Sequence, residues 1–91
     1  MYKDERYLKV KPKIVSGEIT QFNQILKVVP KTIFARDMGT NTTRMGNLFE
    51  HPEKLLIYDV HKLCALLEIE HAFVYAIIDK QIAEVRKHQL M

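Results

Sequence analysis

The chain has 91 residues, 47% of them hydrophobic and 27% charged, with a formal net charge of +3 and one cysteine. That balance excludes a disordered or low-complexity chain, and the lone Cys64 excludes an intramolecular disulfide, which fits a reducing cytoplasm. One domain around one core is expected, without a membrane span or an apolar leader. The mild positive charge permits a polyanionic partner without establishing one.

Met1 to Ser16 carry no clear helical pattern. Leu8, Val10, Pro12 and Ile14 alternate with Lys9, Lys11 and Lys13, the period of an extended segment, and Pro12 cannot donate to a central ladder. An edge strand or ordered arm is expected, with its lysines on one side for solvent or phosphate. Ser16 and Gly17 punctuate the chain. Thr20 then suits the N-cap of a first helix whose apolar residues are Phe22, Ile25, Leu26 and Val29, ended by Pro30. A second helix begins near Lys31 or Thr32, with Ile33, Phe34 and Met38 on its apolar side. Ala35 is small enough for a close helix crossing, and Gly39 supplies a left-handed stop.

Asn41, or Thr40 beside it, suits the N-cap of a third helix. Met45, Leu48 and Phe49 form its buried stripe at i, i+3 and i+4, which leaves Thr42, Thr43, Arg44 and Asn47 facing outward. His51, Pro52 and Glu53 read as a loop. A fourth helix runs from Ile57 to Leu67 with Val60, Leu63, Cys64 and Leu67 on one face. The last helix, about His71 to Gln89, is apolar over a wide arc through Phe73, Val74, Tyr75, Ile77 and Ile78. It then narrows to a stripe through Val74, Ile78, Ile82 and Val85. Such a helix is about 30 Å long, more than a small core needs, so the stripe predicts a second copy of the chain as its cover.

Two short helices joined by a tight glycine turn, the second opening on exposed polar side chains, give the outline of a helix-turn-helix. Side chains at the start of a helix in the major groove must be short and able to hydrogen-bond. Thr42 and Thr43 meet that need through hydroxyl and methyl, and Arg44 can reach a guanine edge or fall back on a phosphate. A Thr-Thr-Arg run is by itself more often a solvated, capped helix start.

From about Thr20 to Glu70 the chain resembles the lambda repressor-like, Cro/Xre-type DNA-binding domain. The likeness runs through Phe34-Ala35, Met38-Gly39, Asn41-Thr42-Thr43-Arg44-Met45 and Leu48-Phe49, then through Leu63-Cys64-x-x-Leu67-x-Ile69. It implies a compact five-helix all-α domain whose second and third helices are the helix-turn-helix. Base readout would fall to Thr42, Thr43, Arg44 and Asn47. Lys31 would grip the DNA backbone and brace the reading helix, with Asn41 and Lys54 as further backbone contacts that position without specifying. The family commonly binds as a symmetric dimer on half-sites about 34 Å apart. Where it often has Glu and Gly after the third helix, this chain has Glu50, His51 and Pro52, and Cys64 replaces a smaller core residue.

His61, Cys64 and Glu68 share a helical stripe that could begin a zinc site, but the set is incomplete and Cys64 belongs to the core; no metal is expected. His71 and His88 read as surface residues at helix ends. No phosphate loop, nucleophile with a base, or carboxylate pair is present, and Tyr2, Tyr7, Tyr58 and Tyr75 are scattered rather than interleaved with cations. The expectation is therefore a non-catalytic all-α protein without cofactor. It has an N-terminal arm (1–19), a helix-turn-helix core (20–70) and a C-terminal helix (71–91) for dimerisation through Val74, Ile78, Ile82 and Val85. Its expected role is binding double-stranded DNA as a cytoplasmic, homodimeric repressor, with no membrane and no small-molecule substrate. The rival is a protein-interaction module, such as an antitoxin or accessory factor, that uses the apolar last helix.

Overall fold

The computed structural model describes residues 3–89, and every regular element among them is helical. A 3-10 helix, Glu5–Lys9, runs directly into α1 (Val10–Val15); a second 3-10 helix, Phe22–Lys27, follows. Then come α2 (Lys31–Met38), α3 (Thr42–Glu50), a 3-10 turn at Pro52–Lys54, α4 (Ile57–Leu67) and the long α5 (His71–Gln89). The all-α class and the long terminal helix agree with the sequence reading.

The N-terminal segment does not. In place of a strand or arm it forms a helical run, because Tyr7, Val10 and Ile14 fall at i, i+3 and i+7 and share a face that packs into the core. Pro12 stands in the first turn of α1, where a missing N–H costs nothing. Tyr7 and Val10 are fully buried. The lysines diverge around the helix: Lys11 pairs with Glu70 at 3.1 Å and Lys13 with Glu18 at 3.2 Å. Lys3 reaches the carbonyl of Ala65 at 3.1 Å and Glu68 at 3.4 Å, so this segment lies across the end of α4.

Nor is Thr20 the cap of a regular helix. The next element is a short 3-10 helix opening at Gln21, and the Gln24 side chain accepts the N–H groups of Thr20 at 2.7 Å and of Gln21 at 3.1 Å. Pro30 follows closely and leaves no room for further turns.

Four aromatic rings join these pieces. Tyr7 meets Phe34 edge-on at 5.2 Å, Phe34 tilts against Phe49 at 5.0 Å, and Phe49 stacks on Phe22 at 4.5 Å. The N-terminal run, α2, α3 and the second 3-10 helix are thereby packed into one centre, each such pair adding about 0.5–1.5 kcal/mol beyond area burial. Met45, Leu48, Val60, Leu63, Cys64, Leu67, Val74, Ile77 and Ile78 complete the core from α3, α4 and α5. At its edge the Tyr7 hydroxyl donates to Asp37 at 2.6 Å, while Arg36 clasps the same carboxylate. Burial, then the bond to Asp37, push the Tyr7 hydroxyl well above its ordinary range. The Arg36 guanidinium holds Asp37 below its own.

Candidate nucleic-acid interface

The turn between α2 and α3 is built from two local devices. Gly39 adopts φ 73° and ψ 35°, a left-handed conformation that favours glycine. This lets the Gly39 N–H donate to Arg36 at 3.3 Å and the Thr40 N–H to Ala35 at 2.9 Å, the paired closure of a Schellman motif. Two residues later Asn41 is extended, and its side-chain oxygen accepts the N–H of Arg44 at 2.8 Å. One helix is stopped and the next started within Gly39, Thr40 and Asn41. Asn41 rather than Thr40 is the cap, and its carboxamide NH2 group remains to donate outward.

Met45, Leu48 and Phe49 are buried as expected, which fixes the rotation of α3. Thr43, Arg44 and Asn47 consequently face solvent and Thr42 is partly exposed. Thr43 and Asn47 stand one turn apart on a single stripe. Arg44 is less free than its neighbours: its guanidinium lies 3.9 Å from Asp59, a buried carboxylate at the start of α4 that also accepts the N–H of Leu56 at 3.0 Å. An ion pair that long and half-exposed is worth about 1 kcal/mol at most, so a guanine edge or phosphate can compete for the arginine.

Lys31 is exposed at the start of α2 and extends along α3. A Cβ placed on Gly46 would stand 3.5 Å from its ammonium nitrogen, an ordinary contact, so the Lys31 side chain passes directly over Gly46 beside α3. With Gln21, Gln24 and Lys27 it edges a polar groove beside α3. Lys54 is exposed at the end of the Pro52–Lys54 turn, where Pro52 is buried.

Two positioning residues have no counterpart in the sequence reading. Gln81 of α5 is 2% exposed; its amide donates to the carbonyl of Phe49 at 2.7 Å and, more weakly, to that of Glu50 at 3.4 Å. Its oxygen accepts the N–H of Asn23 at 2.7 Å. One carboxamide thus closes the end of α3 and ties it to the second 3-10 helix. Its signal in the sequence was a polar residue at i+7 from Val74 and i+3 from Ile78, on the buried stripe itself. Lys62 gave no such signal: it makes a long 3.5 Å bond to the Met38 carbonyl at the turn and lies over the Tyr58 ring at 5.2 Å.

The proposed dimer stripe divides. Val74 is fully buried and Ile78 6% exposed, both packed in the chain's own core, so they are not free for a second copy. Ile82 is partly buried and Val85 is 45% exposed. The free surface therefore begins at Ile82, because α4, the second 3-10 helix and the Pro52–Lys54 turn already pack against α5. His71 is half-buried and contacts His61, while the side chain of His88 and all of Tyr2 lie outside the described residues. Cys64 faces the core with its thiol pushed up by burial, and among the described residues no group of three or more His, Cys, Asp or Glu side chains is placed to hold a metal. Also among the described residues, no helix is long and apolar enough to cross a membrane.

Comparison of the chain with protein-family models, with curated proteins and with solved structures returned no match.

Proposed function

We propose that the chain is a DNA-binding transcriptional regulator that reads double-stranded DNA in the major groove with the first turns of α3. The observation that carries this reading is the turn itself. A Schellman closure at Gly39 and an N-cap at Asn41 set α3 against α2 with Thr42, Thr43, Arg44 and Asn47 outward, while Met45, Leu48 and Phe49 lock its other face. Resemblance to lambda repressor-like domains supports the same assignment. Lys31, Lys54 and the Asn41 side chain supply backbone contacts, and a cytoplasmic homodimer paired through Ile82 and Val85 acts as a repressor by occupying its operator. The role is one of binding, not catalysis.

One observation favours the rival reading as a protein-interaction module. Leu56, Ile57 and Tyr58 are consecutive, large and 62%, 71% and 66% exposed at the start of α4, a surface for which DNA has little use.

The test is selection of bound duplexes from a random pool by the native chain, beside a Thr43→Ala/Arg44→Ala variant, at near-physiological salt. Enrichment of an inverted repeat by the native chain alone, with half-sites about 34 Å apart, is the expected result. Binding by both proteins without preference and with one salt dependence would overturn base readout by α3.

A further inference from the structure

The contact between α4 and the first residue of α5 is made by two imidazoles. His71 Nε2 lies 3.0 Å from His61 Nδ1, with the ring centroids 4.4 Å apart and the planes inclined at 65°. His61 is exposed and His71 half-buried, so the pair is open to solvent on one side. One ring nitrogen now donates a proton to the other, and the outer nitrogens, His61 Nε2 and His71 Nδ1, point elsewhere.

We propose that His61 and His71 form a two-imidazole chelate for a divalent transition-metal ion of the Ni2+ or Cu2+ type, with water completing its coordination. At a metal–nitrogen bond of roughly 2.0–2.1 Å, donors 3.0 Å apart subtend about 91–97° at the ion. That is close to the right angle between neighbouring ligands in square-planar and octahedral complexes. A tetrahedral zinc site would need the nitrogens to part by roughly 0.3 Å, so Zn2+ is the weaker ligand. Binding needs no net loss of a proton. The ring that donates across the contact moves its hydrogen to its outer nitrogen, and both lone pairs then swing off the nitrogen–nitrogen line toward the ion. Both rings can turn, and the larger movement falls to His61, the more exposed of the two.

This site differs from the His61, Cys64 and Glu68 set that the sequence suggested and that the burial of Cys64 removes. Its effect is mechanical: the ion pins the start of α5 to α4 across the turn at Glu68, which is itself in a left-handed conformation at φ 51°. The inference is independent of DNA binding.

Calorimetric titration of the full chain with NiCl2, and separately ZnCl2, in a non-coordinating buffer tests it. One equivalent of Ni2+ should bind and raise the melting temperature, with affinity about tenfold or more weaker in His61→Gln and in His71→Gln, because each leaves a single imidazole. His51→Gln is the control, since His51 stands 3.7 Å from Glu53, an imidazole beside a carboxylate that could itself take the ion. In the native protein, proton resonances of His61 and His71 should broaden first as Ni2+ is added, a readout that requires no variant to fold. Unchanged affinity in both histidine variants, loss of the site in His51→Gln, or broadening centred on another residue would overturn the proposal.

Discussion

Replacing Gln81 by leucine keeps the bulk of the side chain and removes its carboxamide. The Phe49 carbonyl is then left in a buried site without its 2.7 Å donor, and the Asn23 N–H loses its 2.7 Å acceptor. A buried polar group so orphaned costs about 1–3 kcal/mol. The Asn23 N–H is only partly buried and recovers some solvation, so its share falls at the low end and the sum is about 2–4 kcal/mol. Against the roughly 5–14 kcal/mol expected of a chain this size, that is a large fraction. It corresponds to a fall in melting temperature of about 8–30 °C. Urea unfolding followed by far-ultraviolet circular dichroism measures it, with the slope m unchanged and the midpoint lowered. Gln81→Glu is the sharper companion. Its carboxylate can still accept from Asn23 but sets an anionic oxygen against the Phe49 carbonyl, so it should lose at least as much as the leucine variant. A loss below about 0.5 kcal/mol in Gln81→Leu, within the scatter of ordinary surface changes, would mean that Gln81 does not hold the end of α3.

The glycines at and after the α2–α3 turn should respond in opposite directions. Gly46→Ala places a Cβ in ordinary contact with Lys31 inside α3 and should stabilise by about 0.5–1 kcal/mol, raising the melting temperature by about 2–8 °C. Gly39→Ala forces alanine to φ 73° and should cost about 1–2 kcal/mol; equal effects at both sites would refute the left-handed closure. In acid, Asp37 and Asp4 should contribute together. Both are held below the ordinary 3.8, Asp4 to about 2 by the side-chain and backbone bonds of Arg6, so the stability they add is present above pH 3.8 and is lost as pH falls below it, for Asp4 toward 2. An Asp4→Asn/Asp37→Asn variant should show a flatter urea midpoint between pH 4 and pH 2, about the span of the Asp4 shift, and an unchanged slope would refute the assignment. For assembly, Ile82→Asp/Val85→Asp should lower the sedimentation mass to that of one chain, whereas a dimer that survives both charges would place the seam elsewhere.

Much of the architecture could be read from the sequence because it is set by local chemistry. The bounds of α4 and α5, the stop at Gly39, the cap at Asn41 and the buried faces of α3 and α4 all follow from apolar spacing and turn residues. The N-terminal run misled because its residues fit two periods. Leu8, Val10, Pro12 and Ile14 alternate, but Tyr7, Val10 and Ile14 also fit a helix, and only the groove beside Phe34 that receives Tyr7 decides between them. Val74 and Ile78 were assigned to a partner for the same reason: the stripe on α5 is continuous in sequence, while the surface that covers its first half is assembled from distant segments. At the candidate interface the outward set on α3 was legible from helical phase. The pull of Asp59 on Arg44, the course of Lys31 along Gly46 and the clamp by Gln81 were not, since each joins elements whose relative placement no local pattern encodes.

From Ala83 to Lys87 every side chain of α5 is exposed. A stretch that short adds little buried area to hold it, and isolated helices below about 12–15 residues are marginal in water. The amide hydrogens of this stretch should therefore exchange sooner than those around Val74. Any surface that docks on Val85 must first suppress this fraying, and part of the contact energy offsets the lost entropy. A dimer paired through this end would be weakened accordingly, and its occupancy would follow protein concentration.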